Sequence, residues 1–519
     1  MSFKIATMSK YRLLLFILFF PLLLHAQWKA YLSYYDPTEI VEGEGKTIYV
    51  LASGGLYSYD RSDQSLTTYD KISGLSDCGI AHIGWSQKAR RLVIVYDDYN
   101  IDLLAPNGDV VNMTDYQNYS TTDTKTVNGV DVNGSMAYLS TAFGIVALNV
   151  GDAEITNTYR LGFSVNYSYV KDGYLYAASA ANGLYRGKLT DNLLDKANWA
   201  RVGNFTAKPG TVSDDLKALV KTLQPGGPKY NYFGFLKMHD GKLYSCNGTV
   251  EMNPGCIQVL SNNEWSFFQD DMATQTGINY QDVFCLDIDP RDNSHVMAGS
   301  REGLYEFRNG QFVKLWNSDN SLIESFNKKS KDYELVYGVM YDKDGNLWAL
   351  NSQAPTQSIL EYTKDGEWKS FPHSELMKLK YLFPEPQSLG SLKGMMTDSR
   401  GLVWFVNDHW TVPSFYAYQT GTNALNSYQG PFVNEDGTSL NITFCKCIAE
   451  DKDNNMWIGT NIGPFMLEPD QIAAANPVLT QVKVPRNDGT NYADYLLSGV
   501  NIQSIVVDKN NRKWFGTNG

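Results

Sequence analysis

A pattern of two short strands joined by a glycine turn recurs along the chain, and it limits the possible folds more than any other feature. The segment KTIYVLASGGLYSY begins at Lys46, and related text returns as GYLYAASAANGLY at Gly173 and as NNMWIGTNIGPFML at Asn454. We count ten such units, whose equivalent bulky residues are Tyr49, Ile94, Tyr138, Tyr176, Tyr244, Met297, Trp348, Trp404, Trp457 and Trp514. Most intervals between these residues are 38 to 57 residues long. Repeats of about 40 to 50 residues with several strands each are typical of β-propeller blades.

Each unit reads as four strands, and a single four-stranded blade cannot bury both of its faces. The sequence therefore predicts an all-β fold of tandem β-propellers. One ring usually holds about 4 to 8 blades, so ten units indicate two propellers, the second incomplete at Gly519. We assign residues 27–325 to the first propeller, with an alternative boundary at 372, and residues 326–519 to the second. Trp28 to Tyr34 resembles a fourth strand that completes a blade begun elsewhere.

The turns before the bulky strands are rich in Asp, Gly and Asn. Asp342, Asp344 and Asn346 follow part of the calcium-loop pattern D-x-D-x-[DN], but the later Glu of that pattern is absent. Because such residues are also what a tight turn between two strands requires, we interpret these turns as structural.

Residues 1–26 have the features of a secretory signal peptide. Basic residues precede an apolar run from Leu13 to Leu24, and the small residue Ala26 precedes Gln27, the expected start of the mature chain. We therefore expect an exported protein with cleavage between Ala26 and Gln27. The net charge of −12 argues against nucleic acid as a partner, since nucleic-acid binding needs a basic face.

The sequence contains no motif for nucleophilic, phosphate-binding or metal-dependent catalysis, so we predict a protein that is not an enzyme and uses no cofactor or metal. The six cysteines fit no zinc pattern, and most are expected to be buried thiols. Cys246 and Cys256 flank one predicted hairpin and could form a disulfide. Cys445 and Cys447 lie two apart on a predicted strand, so we expect them to point to the same face.

The longest interval between units holds an insertion from Lys208 to Phe235. Ser213 is the expected N-cap of a short amphipathic helix within it. Insertions on propellers often serve binding, and Lys229, Tyr230 and Tyr232 place a cation beside aromatic rings, so they are the candidate ligand- or partner-binding residues. A plain surface loop is the alternative. We expect that deleting the insertion would weaken binding and leave the fold intact.

Three segments carry a resemblance to a known family. LTTYDKISGLSD from Leu66 to Asp77, LVIVYDDYNIDLL from Leu92 to Leu104 and PKYNYFGFLK from Pro228 to Lys237 are similar to the PorZ family of Bacteroidetes. The repeat text W-[IF]-G-T-N with an upstream D-x-[DN]-[GN]-N also resembles the propeller repeats of bacterial two-component sensor ectodomains.

The resemblance to the PorZ family implies two seven-bladed propellers followed by a small β-sandwich. It implies a surface component of the type IX secretion system, in an outer-membrane attachment complex with the sortase PorU, the barrel PorV and PorQ. Such proteins are expected to bind anionic lipopolysaccharide and hand it to the sortase, and the family offers no catalytic residues to carry over. Since the sequence ends at Gly519 inside a blade, we expect either a fragment or a truncated gene.

Two other functions stay open. One is a periplasmic sensor ectodomain of a hybrid two-component histidine kinase. The other is a propeller lyase or hydrolase acting on glycans, which would need clustered Asp, Glu, His or Tyr side chains in a sugar-sized pocket.

Overall fold

The structure is a computed structural model, and it describes residues 29–210, 212–248, 250–327, 330–380, 385–474 and 476–518. The predicted signal peptide and its cleavage site at Ala26 and Gln27 lie outside the described residues. The chain divides into two compact units, Met1–Asn231 and Tyr232–Gly519. This division does not coincide with the boundary predicted at 325 or 372, and the assignment of blades to two rings stays a prediction.

The first unit contains four antiparallel four-stranded sheets, each with its strands in chain order. Their strands are β1 (Pro37–Glu42), β2 (Thr47–Ala52), β3 (Gly55–Asp60), β4 (Leu66–Tyr69), β5 (Ile80–Ser86), β6 (Arg91–Tyr96), β7 (Ile101–Leu104), β8 (Val110–Met113), β9 (Val127–Asn133), β10 (Met136–Thr141), β11 (Gly144–Asn149), β12 (Glu154–Arg160), β13 (Tyr167–Lys171), β14 (Tyr174–Ser179), β15 (Gly183–Lys188) and β16 (Trp199–Gly203). Helix α1 (Asp115–Asn118) follows the second sheet, and helix α2 (Asp214–Thr222) follows the fourth.

The second unit begins with four more sheets of the same construction. Their strands are β17 (Phe235–His239), β18 (Lys242–Cys246), β19 (Gln258–Ser261), β20 (Glu264–Phe267), β21 (Cys285–Asp289), β22 (Asp292–Ser300), β23 (Gly303–Arg308), β24 (Gln311–Trp316), β25 (Val336–Tyr341), β26 (Leu347–Asn351), β27 (Ile359–Tyr362), β28 (Trp368–Phe371), β29 (Leu392–Thr397), β30 (Val403–Asn407), β31 (Ser414–Gln419) and β32 (Ala424–Gln429). A short helix, α3 (Ala273–Thr276), follows the first of them.

Smaller sheets complete the second unit within the described residues. Their strands are β33 (Phe432–Asn434), β34 (Ser439–Leu440), β35 (Cys445–Glu450), β36 (Met456–Thr460), β37 (Gly463–Leu467), β38 (Val478–Leu479), β39 (Lys483–Pro485), β40 (Ala493–Tyr495), β41 (Ile502–Val507) and β42 (Lys513–Thr517). Strands β35 to β37 form a three-stranded sheet, while β41 pairs with β42. All ten bulky residues of the repeat lie on the second strand of their sheet, as the repeat predicts.

The second strand of an inner sheet is buried on both faces. In β6, Leu92 and Ile94 pack in one core cluster with residues of the first sheet, while Val93 and Val95 pack in another with residues of the third. The side chains of a strand alternate between faces, so the second sheet is covered by the first sheet on one face and by the third on the other. Four-stranded antiparallel sheets packed in this way are propeller blades, which confirms the predicted all-β fold class.

The Asp-rich turns are hydrogen-bonded internally, as the structural interpretation predicts. The Trp404 indole donates to Asp398 Oδ2 at 2.8 Å, and Trp457 donates to Asp451 Oδ2 at 2.9 Å. Trp348 and Trp514 make the same bond at 3.2 Å, to Asp342 and Asp508 respectively. In each turn the aspartate also accepts backbone N–H groups, so its carboxylate closes the turn and fixes the bulky residue of the next strand.

Two local expectations from the sequence are wrong. Residues 29–35 belong to no strand, and the predicted closing strand is instead irregular chain before β1. Cys445 and Cys447 face different core clusters, because a β-bulge between them adds a residue and reverses the alternation. The expectation that most of the six cysteines are buried is confirmed, since Cys246, Cys256, Cys285 and Cys445 are buried, and of the alternatives left open for Cys246 the structure has the thiol.

The helix of the insertion packs in the core of the first unit, which argues against the expectation that deletion would leave the fold intact, while the expected loss of binding stays a prediction. Its helix α2 has the predicted cap, since Ser213 Oγ accepts the Leu216 N–H at 3.3 Å. Leu216 and Val220 are buried against Ile48 and Val50 of β2. Removing the insertion would expose this apolar surface to water and destabilise the first sheet.

The Asp–Trp bond gives a stability prediction. Burial alone would raise the pKa of Asp451, but the hydrogen bonds from Trp457 and Asn455 lower it to about 2. The stabilisation is therefore present above the ordinary carboxyl pKa of about 4 and is lost as the pH falls toward 2. We expect Asp451→Asn to lower the free energy of unfolding at neutral pH by about 1–3 kcal/mol.

Urea unfolding at neutral pH and at pH about 3 measures both parts of this prediction. The exposed Asp470→Asn variant is the control and should match the unsubstituted protein. An Asp451→Asn variant with the same midpoint and the same pH dependence as that control would contradict the role of the turn.

Candidate functional site

The predicted binding residues fall in both compact units. Lys229 and Tyr230 are half-buried at the end of the first unit, and the Lys229 ammonium lies 5.8 Å from the centroid of the Tyr230 ring. The Ser33 hydroxyl donates to the Lys229 carbonyl at 2.6 Å, which fixes this backbone to the chain before β1. Tyr232 begins the second unit, and 44% of its surface is exposed. The structure thus places the Lys229 ammonium beside the ring of Tyr230, one of the two tyrosines predicted to accompany it.

A second basic group lies in the second unit. Lys393 on β29 and Lys446 on β35 converge on Asp408, with Nζ–O distances of 2.6 Å and 3.3 Å. The Lys446 ammonium also lies 4.8 Å from the centroid of the Phe444 ring. Two ammonium groups share one carboxylate here, so the group keeps a positive charge that an anion can neutralise.

The fold explains why the two lysines meet. Strands β29 and β35 are the first strands of successive sheets and lie next to each other. The residue before each lysine, Leu392 or Cys445, pairs with the last residue of the second strand in its own sheet. Lys393 and Lys446 therefore occupy the same position in two units. An alignment of the first strands of the repeat would reveal the shared position of these two lysines, whereas the repeat is most visible in its second strands.

Three side chains of the kinds that a glycan-cleaving enzyme uses, Asp289, His295 and Glu306, meet in the second unit, but all three are nearly buried. His295 Nδ1 lies 3.1 Å from Asp289 Oδ2, and His295 Nε2 lies 3.2 Å from Glu306 Oε1. The carboxylates have other donors, since Arg291 donates to Asp289 and the Trp316 indole donates to Glu306. Because the three side chains are nearly buried and paired by charge, the cluster fits a structural ion network.

The described residues contain no group of three or more His, Cys, Asp or Glu side chains that could hold a metal ion. None of the helices in the described ranges has the length and apolar character that crossing a membrane requires.

The four-stranded antiparallel blades define a β-propeller protein. Its particular likeness is to PorZ. Residues 48–200 match the family described as the N-terminal β-propeller domain of PorZ, and residues 438–461 match the two component regulator propeller repeat. No curated protein sequence shows a significant match to the chain.

One solved structure extends the likeness in fold. PorZ of Porphyromonas gingivalis, an essential bacterial surface component of the type-IX secretion system, superposes with a TM-score of 0.81 at 21% identity, over 95% of this chain and 80% of that one. The extracellular domain of the putative hybrid two component system BT4673 from B. thetaiotaomicron gives a TM-score of 0.35 at 13% identity, over 93% and 68%. The chain is thus PorZ-like in sequence within its first sheets and in fold along most of its length.

The shared counter-ion of the two lysines can be tested directly. In Asp408→Asn, two neighbouring ammonium groups lose their carboxylate and repel each other. We expect a loss of about 1–3 kcal/mol in the free energy of unfolding at low salt, part of which returns when salt screens the repulsion. Thermal unfolding at low and high ionic strength measures it.

The control is Asp365→Asn, which breaks the exposed Lys364–Asp365 ion pair and should cost less than about 0.5 kcal/mol. Equal, salt-independent effects of the two substitutions would show that Asp408 does not hold the lysines together.

Proposed function

We propose that this protein is a non-enzymatic, cell-surface scaffold of the type IX secretion attachment complex, which binds anionic lipopolysaccharide and presents it to the sortase. The observation that carries the proposal is the similarity to PorZ over 95% of the chain, together with the match of residues 48–200 to the PorZ propeller family. The protein would be exported, lie peripherally on the outer membrane, and have the sortase PorU, the barrel PorV and PorQ as partners.

The charge of the protein favours anion binding only where lysines are grouped. The net charge of −12 disfavours anions in general, so a site for an anionic glycolipid needs a local excess of cations. Lys393 and Lys446 provide one such excess beside Phe444. Lys229, with Tyr230 and Tyr232 near it in sequence, is the second candidate. Lysines beside aromatic rings suit phosphate or carboxylate groups carried on sugar rings.

The partner proposal is tested by affinity isolation from outer membranes. A tagged chain is expressed in a host that lacks its own copy, and the membrane complexes are cross-linked before isolation. We expect recovery of the sortase and the barrel protein. Recovery of neither, or isolation of a chain that continues into a kinase, would overturn the proposal and favour the sensor ectodomain. Turnover of a glycan by the purified protein would favour the enzyme.

The anion-binding proposal is tested with purified anionic lipopolysaccharide and three variants. We expect the Lys393→Gln/Lys446→Gln double variant to bind about tenfold or more weakly, because two charge-assisted contacts are lost. Lys229→Gln reports on the insertion in the same assay, and the exposed Lys364→Gln is the matched control. Surface plasmon resonance at two salt concentrations provides the measurement.

If the double variant and Lys229→Gln both bind like Lys364→Gln, neither basic group is the lipopolysaccharide site. A decrease confined to Lys229→Gln would place the site at the insertion.

A further inference from the structure

A cavity of about 460 Å³ opens beside the outer strands of the third sheet in the first unit. Its floor is made by Tyr116 on α1 and by Phe143 and Val146 at β11, all of them buried. Its volume lies within the range of about 300–1,000 Å³ that is usual for small-molecule sites. An apolar floor of this size can cover one face of a small ring.

The rim of the cavity is polar and carries an exposed aromatic ring. Asp115 and Glu154 are exposed at the rim, and Thr158 on β12 lies between floor and rim. Tyr119 also lines the cavity, and 49% of its surface is exposed. The Tyr116 hydroxyl donates to the Lys125 carbonyl at 2.7 Å, so Tyr116 contributes mainly its ring.

The exposed ring of Tyr119 is held in place from outside the cavity. The Arg160 guanidinium donates to the Tyr119 hydroxyl at 3.2 Å and forms an ion pair with Asp123. The same guanidinium lies 5.1 Å from the centroid of the Phe143 ring. Arg160 thus links the exposed ring to the floor, so less ordering is needed when a ligand binds.

The lining selects the chemistry of the ligand. The carboxylates of Asp115 and Glu154 would repel an anionic group, but they accept hydrogen bonds strongly from hydroxyl groups. The rings of Tyr119 and Phe143 offer apolar surface to the C–H face of a ring. A compact ligand with hydroxyl donors around its edge and an apolar face satisfies both requirements.

We propose that this cavity binds a pyranose unit of a neutral glycan. Tyr119 and Phe143 contact the apolar face of the sugar ring, and Asp115, Glu154 and Thr158 bind its hydroxyl groups. Arg160 is a positioning residue that holds Tyr119. The site is separate from the basic groups proposed for anionic lipopolysaccharide, and the inference does not rest on the secretion role.

The test uses the purified full chain and a panel of methyl glycosides and disaccharides of glucose, galactose, mannose and N-acetylglucosamine. Saturation-transfer NMR detects binding, and titration gives the affinity. We expect at least one panel member to bind, Tyr119→Ala to weaken it by about tenfold, and Glu154→Gln by about threefold to tenfold. Tyr119→Phe keeps the ring and should retain most of the binding.

Controls separate this site from general effects. Tyr492→Ala removes a tyrosine that is 70% exposed in the second unit and should leave sugar binding unchanged. Lys393→Gln/Lys446→Gln should also leave it unchanged, which distinguishes failure of this site from failure of the lipopolysaccharide proposal. Circular dichroism confirms that the variants are folded.

Three outcomes would overturn the proposal. The first is that no panel member binds at millimolar concentration. The second is binding that is equal in Tyr119→Ala and in the unsubstituted protein. The third is binding of a lysine- or arginine-containing peptide, but of no sugar, with the same dependence on Tyr119 and Glu154; it would show that the carboxylates serve a basic side chain of a partner protein.

Discussion

Burial of the second strand of an inner sheet between its two neighbouring sheets is the interaction on which the other features depend. In β6, five consecutive residues from Leu92 to Tyr96 are almost completely buried, and they alternate between two core clusters. Each such strand removes apolar surface from water on both faces, at about 25 cal/mol per Å². The sheets therefore stabilise one another through stacking, and the loops at their ends can differ from sheet to sheet.

The fold was largely predictable from the repeat, because its recurring bulky residues mark the strands that are buried. Bulky residues recur at a fixed place, and all ten residues identified in this way lie on second strands. All except Trp514, which is 59% exposed, are buried or half-buried. The Asp-rich turns were equally readable, since an aspartate six residues before a tryptophan both closes the turn and accepts the indole N–H. Ser213 was recognisable as a cap for the same reason, namely that the relevant contact is local in sequence.

Features that depend on contacts distant in sequence were not predictable. The packing of Val220 against β2 joins parts of the chain that no local pattern connects. The bulge between Cys445 and Cys447 inserts one residue into a pairing that a strict alternation assumes to be regular. Lys393 and Lys446 meet because neighbouring first strands bring them together around Asp408. The cavity beneath Tyr119 is likewise assembled from a helix, a turn and two strands.

The two ends of strands β29 and β35 have different roles. Each begins next to a lysine of the basic group, Lys393 or Lys446, and each is followed directly by the aspartate that binds a tryptophan, Asp398 or Asp451. The length of one strand thus separates the aspartate that stabilises the turn from the lysine that contributes the positive charge. Substitutions at the lysine end can therefore change the local charge without disturbing the turn that keeps the sheet in register.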